Sequence, residues 1–292
     1  MNSKQFAHNY RDLYTPTLRA IGRDLLLKMF LVCRATPSPS KRGVHFLYLH
    51  HLFTDEERNF EEILVWLEKS GYHFISYSEA VQRIITGDID KQHVCLSFDD
   101  GVDNCLKAGQ ILARYDISAC FFLNTAMIDE EHQIHPMLIT AKQYGRLPVR
   151  YLSWADSEQL KSLGHEIGGH THSHINMAMA SSDQLAFEIG HNKELLEQRL
   201  GPIAHFAWPF GRFQHFSAEA RRAVYKAGYH SCASAERGIH VTQAENSQFC
   251  IHRDGVVAAW PLAQTRYLLA RSAANYAVPA NSWGAIATKS EK

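Results

Sequence analysis

The sequence predicts an α/β protein, a distorted (β/α)7 barrel of parallel strands with outer helices. Short apolar runs alternate with segments of helical periodicity from residue 44 to residue 253. About seven such units fill roughly 210 residues, which suits a closed, irregular barrel better than an open sheet. The residues with the most chemical character fall where strands end, the place such barrels keep their chemistry. A chain of 292 residues, 46% hydrophobic, is long enough to bury a large core as one domain.

Residues 1–43 stand before the repeat. Residues 1–14 are polar and carry no apolar leader core. Residues 18–33 place Leu18, Ile21, Leu25, Leu26, Met29, Phe30 and Val32 along one side of an amphipathic helix. Arg19, Arg23, Asp24 and Lys28 interrupt this run well short of a membrane span. A helix packed on the domain is the simpler reading. A membrane-surface helix over residues 17–34 is the sharper one, motivated by Arg19, Arg23, Lys28 and Arg34. Residues 35–43 form a Pro/Ser linker. The expected organisation is an N-terminal helix and linker over 1–43, a catalytic domain over 44–260 and a C-terminal helix and tail over 261–292.

Within the domain, residues 44–49 read as a strand that ends at His50 and His51. Residues 60–69 space Phe60, Ile63, Leu64 and Leu67 as a helix stopping at Gly71. A strand over 72–76 and a helix over 78–86 follow, with Ser78 as its cap. The alternation continues with a strand over 94–98, a helix over 104–115 and a strand over 119–123. A helix over 157–163, a strand over 165–168 and a long amphipathic helix over 182–200 come next. Strands over 205–208 and 230–233 flank a helix over 218–227, and residues 248–253 close the series.

Composition removes some functions. Formal net charge is zero, so nothing draws the chain to nucleic acid. The six cysteines contain no C-x-x-C pair, and Cys95 and Cys120 sit in apolar runs as small buried hydrophobes.

Two segments carry chemistry. Ser97-Phe98-Asp99-Asp100-Gly101 ends a buried strand with adjacent carboxylates, which repel each other and lose hydration together. A bound cation relieves this by taking one carboxylate as ligand, and the glycine permits the tight turn. Alone, the segment reads more simply as a turn capping the next helix. His170-Thr171-His172-Ser173-His174 also follows a strand. Histidines four apart on a helical turn face the same way and can share a metal. His172 points elsewhere and receives no role. Alone among 18 histidines, this pair reads as incidental surface histidine. Together, two imidazoles and a carboxylate describe a catalytic metal site with positions open to water.

These segments resemble the polysaccharide deacetylase family, the carbohydrate esterases that share the NodB-type domain. Its first motif, Thr/Ser-Phe-Asp-Asp-Gly, is met by residues 97–101, and its second, His-Ser/Thr-x-x-His, by residues 170–174. The third, Arg-x-Pro-Tyr/Phe-Gly, is met in part by Ala207-Trp208-Pro209-Phe210-Gly211. The resemblance runs from about residue 46 to about residue 257 and implies a distorted barrel of seven strands. It also implies Asp99 as base and Asp100, His170 and His174 as ligands of a metal that activates water and polarises an acetamide carbonyl. A backbone N–H near Phe210 would help to hold the oxyanion.

The chain departs from that pattern at Ala207, where the family has the arginine that orients the base. Arg253 resembles the late arginine of branches that also lack the early one, and is assigned to hold Asp99. The usual late Leu-x-His acid is absent too. Leu49-His50-His51-Leu52 resembles the Tyr-His element of the exported biofilm-polysaccharide branch, so His50 is assigned as general acid. His51 and His252 are its alternatives, although alternation puts His252 on the strand face opposite Arg253. Trp154, Trp208 and Phe210 read as core before they read as a sugar-binding floor. The apolar stripes of 60–69 and 182–200 read as helix faces without function.

The expected activity is metal-dependent removal of an N-acetyl group from an amino sugar of a glycan or glycan precursor in surface polysaccharide biosynthesis. The substrate would be nucleotide- or lipid-linked and the protein cytoplasmic or peripheral to the membrane. The ligand set accommodates several divalent ions, zinc being the expectation. A facial-triad iron oxygenase shares the ligands but has no use for Asp99. A hydrolase of another C–N bond, or a glycan-binding barrel without turnover, is the remaining alternative. The missing third-motif arginine is the best support for the glycan-binding barrel.

Overall fold

The computed structural model describes residues 42–128 and 150–284. Strands β1 (Gly43–Leu49), β3 (Gln92–Phe98), β4 (Ala119–Leu123), β5 (Glu166–Gly169), β6 (His205–Ala207), β7 (Ser231–Ala233) and β9 (Cys250–Ile251) lie side by side in that order, each parallel to the next. Helices α1 (Glu57–Lys69), α2 (Tyr77–Thr86), α3 (Cys105–Arg114), α4 (Trp154–Ser162), α5 (Ser182–Leu200) and α6 (Ala218–Lys226) form the crossovers. Both faces of the sheet are covered, so β3 and β4 are buried at every position, and this is why they read as unbroken apolar runs.

Alternation along the strands divides the core in two. Val44, Phe46, Cys95, Cys120, Phe122, Ala207, Ala233 and Ile251 form one cluster, against which α2 packs Tyr77, Ala80, Val81 and Ile84. Leu47, Leu49, Val94, Leu96, Phe98, Phe121 and Leu123 point the other way and meet the apolar faces of α1, α3 and α5. The sheet curls until residues 250–255 link its ends. β9 pairs with β7, and two residues later β10 (Asp254–Gly255) pairs with Leu47 and Tyr48 of β1. The remaining edge of β1, at Val44 and His45, is taken by antiparallel β8 (Ile239–His240). β11 (Ala277–Val278) extends β8, and β2 (His73–Phe74) lies beside the start of β3.

Several boundaries differ from the sequence reading. The strand expected over 248–253 is two short pairings, with His252 and Arg253 between them. Their N–H groups donate instead to His240 Nε2 (3.1 Å) and to the Glu236 carbonyl (2.8 Å), so neither donor is lost where the ladder stops. The cap of α2 is Ser76 rather than Ser78. Ser76 has the extended backbone a cap requires and accepts from Glu79 N–H at 3.1 Å, whereas Ser78 turns its hydroxyl to Glu166 and His205. Helix α4 begins at Trp154, earlier than expected, because Ser153 and Asp156 form a capping box. After the barrel, α7 (Leu262–Asn275) packs against α1 and β10. The helix expected over 17–34 lies outside the described residues. No helix among the described residues is long and apolar enough to cross a membrane.

Candidate active site

The strand ends bring two carboxylates, two imidazoles and a guanidinium together. β3 runs into Asp99, whose N–H still bonds the Leu49 carbonyl at 2.9 Å, and the chain then turns through Asp100 (φ 72°) and Gly101 (φ 67°). A Cβ at Gly101 would add strain to that φ and come within 3.0 Å of Leu123, so glycine suits the turn. The turn aims Asp100 and Asp99 at different partners.

Asp100 Oδ1 lies 3.2 Å from His170 Nε2 and 3.2 Å from His174 Nε2. The three ligand atoms lie within 4.8 Å of one another, and among the described residues no other group of His, Cys, Asp or Glu converges in this way. His170 Nδ1 is 2.7 Å from the Ala207 carbonyl, which can only accept, so the ring proton is assigned to Nδ1 and Nε2 presents a lone pair. That lone pair faces Asp100 Oδ1, a buried atom that accepts no well-formed hydrogen bond. Facing lone pairs at this distance call for a cation. Tetrahedral zinc with N and O ligands at about 2.0–2.2 Å would set them roughly 3.3 Å apart, close to the separations found. These residues therefore fit a divalent metal. Burial alone would raise the Asp100 carboxyl, but His174 and His170 outweigh it and hold it well below the carboxylate range.

Asp99 is held by Arg253. Nη1 and Nη2 donate to Oδ1 and Oδ2, each at 2.8 Å, in a two-pronged pair. The guanidinium is 0% exposed. Its remaining contacts are Nε to the Ser234 carbonyl (2.6 Å), Nη1 to Ser97 Oγ (3.2 Å) and its face to the Tyr48 ring (4.6 Å). A charge buried this deeply is tolerable because every side of it is occupied. Burial would raise the Asp99 carboxyl, but Arg253 and then His170 outweigh it, so Asp99 is held below its ordinary value and is an anion at neutral pH.

The profile of the polysaccharide deacetylase family matches residues 86–232, half of the chain. The chain belongs to the polysaccharide deacetylase family. Over 146 residues, 49% of this chain, it is 27% identical to a peptidoglycan-N-acetylglucosamine deacetylase of Bacillus cereus, and the match spans 41% of that relative's length. Among solved structures it is similar to the Streptococcus pyogenes deacetylase PplD in complex with acetate, with TM-score 0.60 and 20% identity, covering 80% of this chain and 98% of that one. IcaB from Ammonifex degensii gives TM-score 0.63 and 17% identity, covering 80% and 97%. At these identities the likeness is one of fold.

Two features of this deacetylase-family site differ from the sequence reading. Residues 170–174 do not form a helical turn. They form a loop in which Thr171 (φ 67°) and His174 (φ 59°) adopt left-handed backbone, and that path, rather than helical spacing, brings the two rings to 5.2 Å. His172 is fixed by Thr125 Oγ1 (2.9 Å) and packs on Phe187 and His191. Of the three aromatic residues weighed as a floor, Trp208 is buried in a stack with Phe216 and Trp283. Trp154 lies under Arg199. Phe210, in contrast, is 52% exposed and edge-on to His174 at 4.9 Å.

The three candidate acids separate clearly. His50 follows β1, half-buried, close enough for its charge to reach both Asp99 and Asp100. His51 is buried against Phe53, and burial, reinforced by His50, pulls its pKa down to about 3 although Asp100 opposes. It is poorly suited to carry a proton. The ring of His252 lies against the carbonyls of Arg237 (3.2 Å) and Ser282 (2.8 Å) and beside the rings of Phe213 and His240, so its polar atoms are engaged away from Asp99. Sequence reasoning missed Glu188 and Asn192, which look like interruptions of an apolar helix stripe. A buried Glu and Asn one turn apart on such a face were the signal available.

Proposed function

We propose that this chain is a metal-dependent N-deacetylase acting on an N-acetylated amino sugar of a glycan or glycan precursor, with residues 44–260 as its catalytic unit. The observation that carries this is the placement of an anionic, Arg253-held Asp99 directly beside the Asp100, His170 and His174 cluster. A divalent cation held by that cluster would lower the pKa of water and polarise the amide carbonyl. Zinc suits the donor set.

Asp99 then takes a proton from the attacking water. Arg253 keeps the carboxylate ionised and points its free lone pairs in a fixed direction, at some cost in basicity. The water oxygen forms a bond to the carbonyl carbon, the C–N bond breaks, acetate leaves, and the amine needs a proton. We assign His50, half-buried after β1, to deliver it. Phe210 offers an exposed ring at the rim, on which a sugar face can lie. Ala207 leaves vacant the usual arginine position, which would favour a barrel that binds glycan without cleaving it. Arg253 fills that role from another strand end, and the hydrolytic reading is preferred for this reason.

The name of the Bacillus cereus relative supports an N-acetylated amino sugar as substrate. A nucleotide- or lipid-linked sugar in the cytoplasm, met at the membrane through residues 17–34, is the form we favour. The test is acetate release from a panel of chitooligosaccharides, peptidoglycan fragments and nucleotide- and lipid-linked N-acetylated sugars. Release that chelator abolishes and zinc restores is expected for at least one of them. No release across the panel by protein with bound metal would overturn the assignment.

A further inference from the structure

The loop between His170 and His174 must be held from outside, because L residues rarely adopt the left-handed backbone of Thr171 and His174. Two outside holds and one within the loop are visible. Asn124 Nδ2 donates to the carbonyls of His170 and Thr171. Thr171 Oγ1 accepts from His174 N–H at 3.0 Å. The third comes from α5, where Glu188 Oε2 accepts from Ser173 N–H at 2.7 Å, Oε1 accepts from the Ser173 hydroxyl, and the Glu188 carbonyl accepts from His172 N–H at 2.9 Å.

Glu188 is buried, and among the described residues it forms no salt bridge with lysine or arginine. Burying a carboxylate costs hydration, and here its hydrogen bonds go to the residue next to His174. One turn along the same face, Asn192 donates to the Leu123 carbonyl (3.0 Å) and to Thr125 Oγ1 (3.1 Å), and Thr125 holds His172. The Leu123 carbonyl also accepts from His170 N–H at 3.1 Å. Gly169 lets the helix approach, since a Cβ there would come within 2.6 Å of Asn192 Oδ1. The polar stripe of α5 thus grips the loop on both sides.

We propose that Glu188 is a positioning residue for the metal centre. Its carboxylate fixes Ser173, and through it the His174 imidazole against Asp100, and so sets the affinity for the cation. The inference rests on reading Asp100, His170 and His174 as metal ligands. Groups that orient ligands in this way typically change metal affinity ten- to a hundredfold when removed.

The test is calorimetric titration of the metal-stripped full chain with zinc, repeated with cobalt, whose absorption reports ligand geometry. Glu188→Ala is expected to weaken zinc binding about ten- to a hundredfold and to alter the cobalt spectrum. Glu188→Gln, which keeps an acceptor for Ser173 N–H, should recover most of the affinity. Leu185→Ala, an apolar truncation on the same helix, should lower the melting temperature and leave the zinc Kd unchanged. A Kd in Glu188→Ala equal to that of the unsubstituted chain would overturn the inference while leaving the metal reading intact. Should Glu188→Ala not fold, Ser173→Ala replaces it. A several-fold weaker Kd there supports the role, and an unchanged one overturns it. If the unsubstituted chain takes up no zinc, or His174→Ala binds as tightly, the metal reading fails and this inference fails with it.

Discussion

The two ends of the strand barrel both bury polar groups, and they treat them differently. At the starts of β5, β6 and β7, Glu166, His205 and Ser231 form a network with Ser78 of α2. His205 Nε2 meets Ser78 Oγ at 2.8 Å, His205 Nδ1 meets Ser231 Oγ at 2.9 Å, and Glu166 accepts from Ser78 N–H and hydroxyl. No non-glycine residue of that network has positive φ. At the opposite end, Asp100, Thr171, His174 and Phe210 all do, and Asp100 Oδ1 stays without a well-formed hydrogen bond between two imidazoles. A polar network that satisfies itself is explained by stability. Strained backbone around an unsatisfied, convergent set points to a ligand.

The largest effect expected from this contrast is on turnover. Asp99→Asn should lower acetate release about a thousandfold with metal content unchanged, measured by steady-state kinetics alongside metal analysis. Arg253→Met leaves the Asp99 charge buried without its partner. It should cost about 3–5 kcal/mol in denaturant unfolding and move the acid limb of the pH–rate profile upward, since the guanidinium that holds Asp99 down is gone.

Asp254, next in sequence to Arg253, lies beneath α7 with no such fork. Burial pushes its pKa up to about 6, although Ser272 and Arg237 oppose. The folded state therefore keeps a proton that the unfolded chain releases, and stability falls as pH rises from about 4 to about 6, then levels off. Asp254→Asn should flatten that slope and add on the order of 2 kcal/mol at pH 7, read from unfolding across pH. The smallest effect is expected in the self-satisfied network of Ser78, Glu166, His205 and Ser231. Ser78→Ala should cost about 1 kcal/mol and leave kcat/KM unchanged. A loss of activity there would erase the distinction between the two ends.

The fold was legible where physics is local. Buried parallel strands are unbroken apolar runs, and β3 and β4 lie where the sequence put them. Two-residue pairings such as β8, β10 and β11 have no period to read, and they were missed. The adjacent carboxylates after β3 and the spaced histidines after β5 were visible as patterns, but not the left-handed loop that makes the histidines converge. The Asp99–Arg253 contact joins residues 154 positions apart and was reached only through family resemblance. Glu188 was hidden because a polar residue in a helix stripe looks like a flaw in the pattern until the loop it holds is seen.

The central claim is that Asp100, His170 and His174 hold a metal on which amide hydrolysis depends. Its most direct measurement is acetate release by metal-stripped protein as zinc is added back. Activity should rise from baseline, saturate at one equivalent per chain, and stay at baseline in Asp100→Ala and His174→Ala. Activity that survives stripping, or that those two variants retain in full, would contradict it.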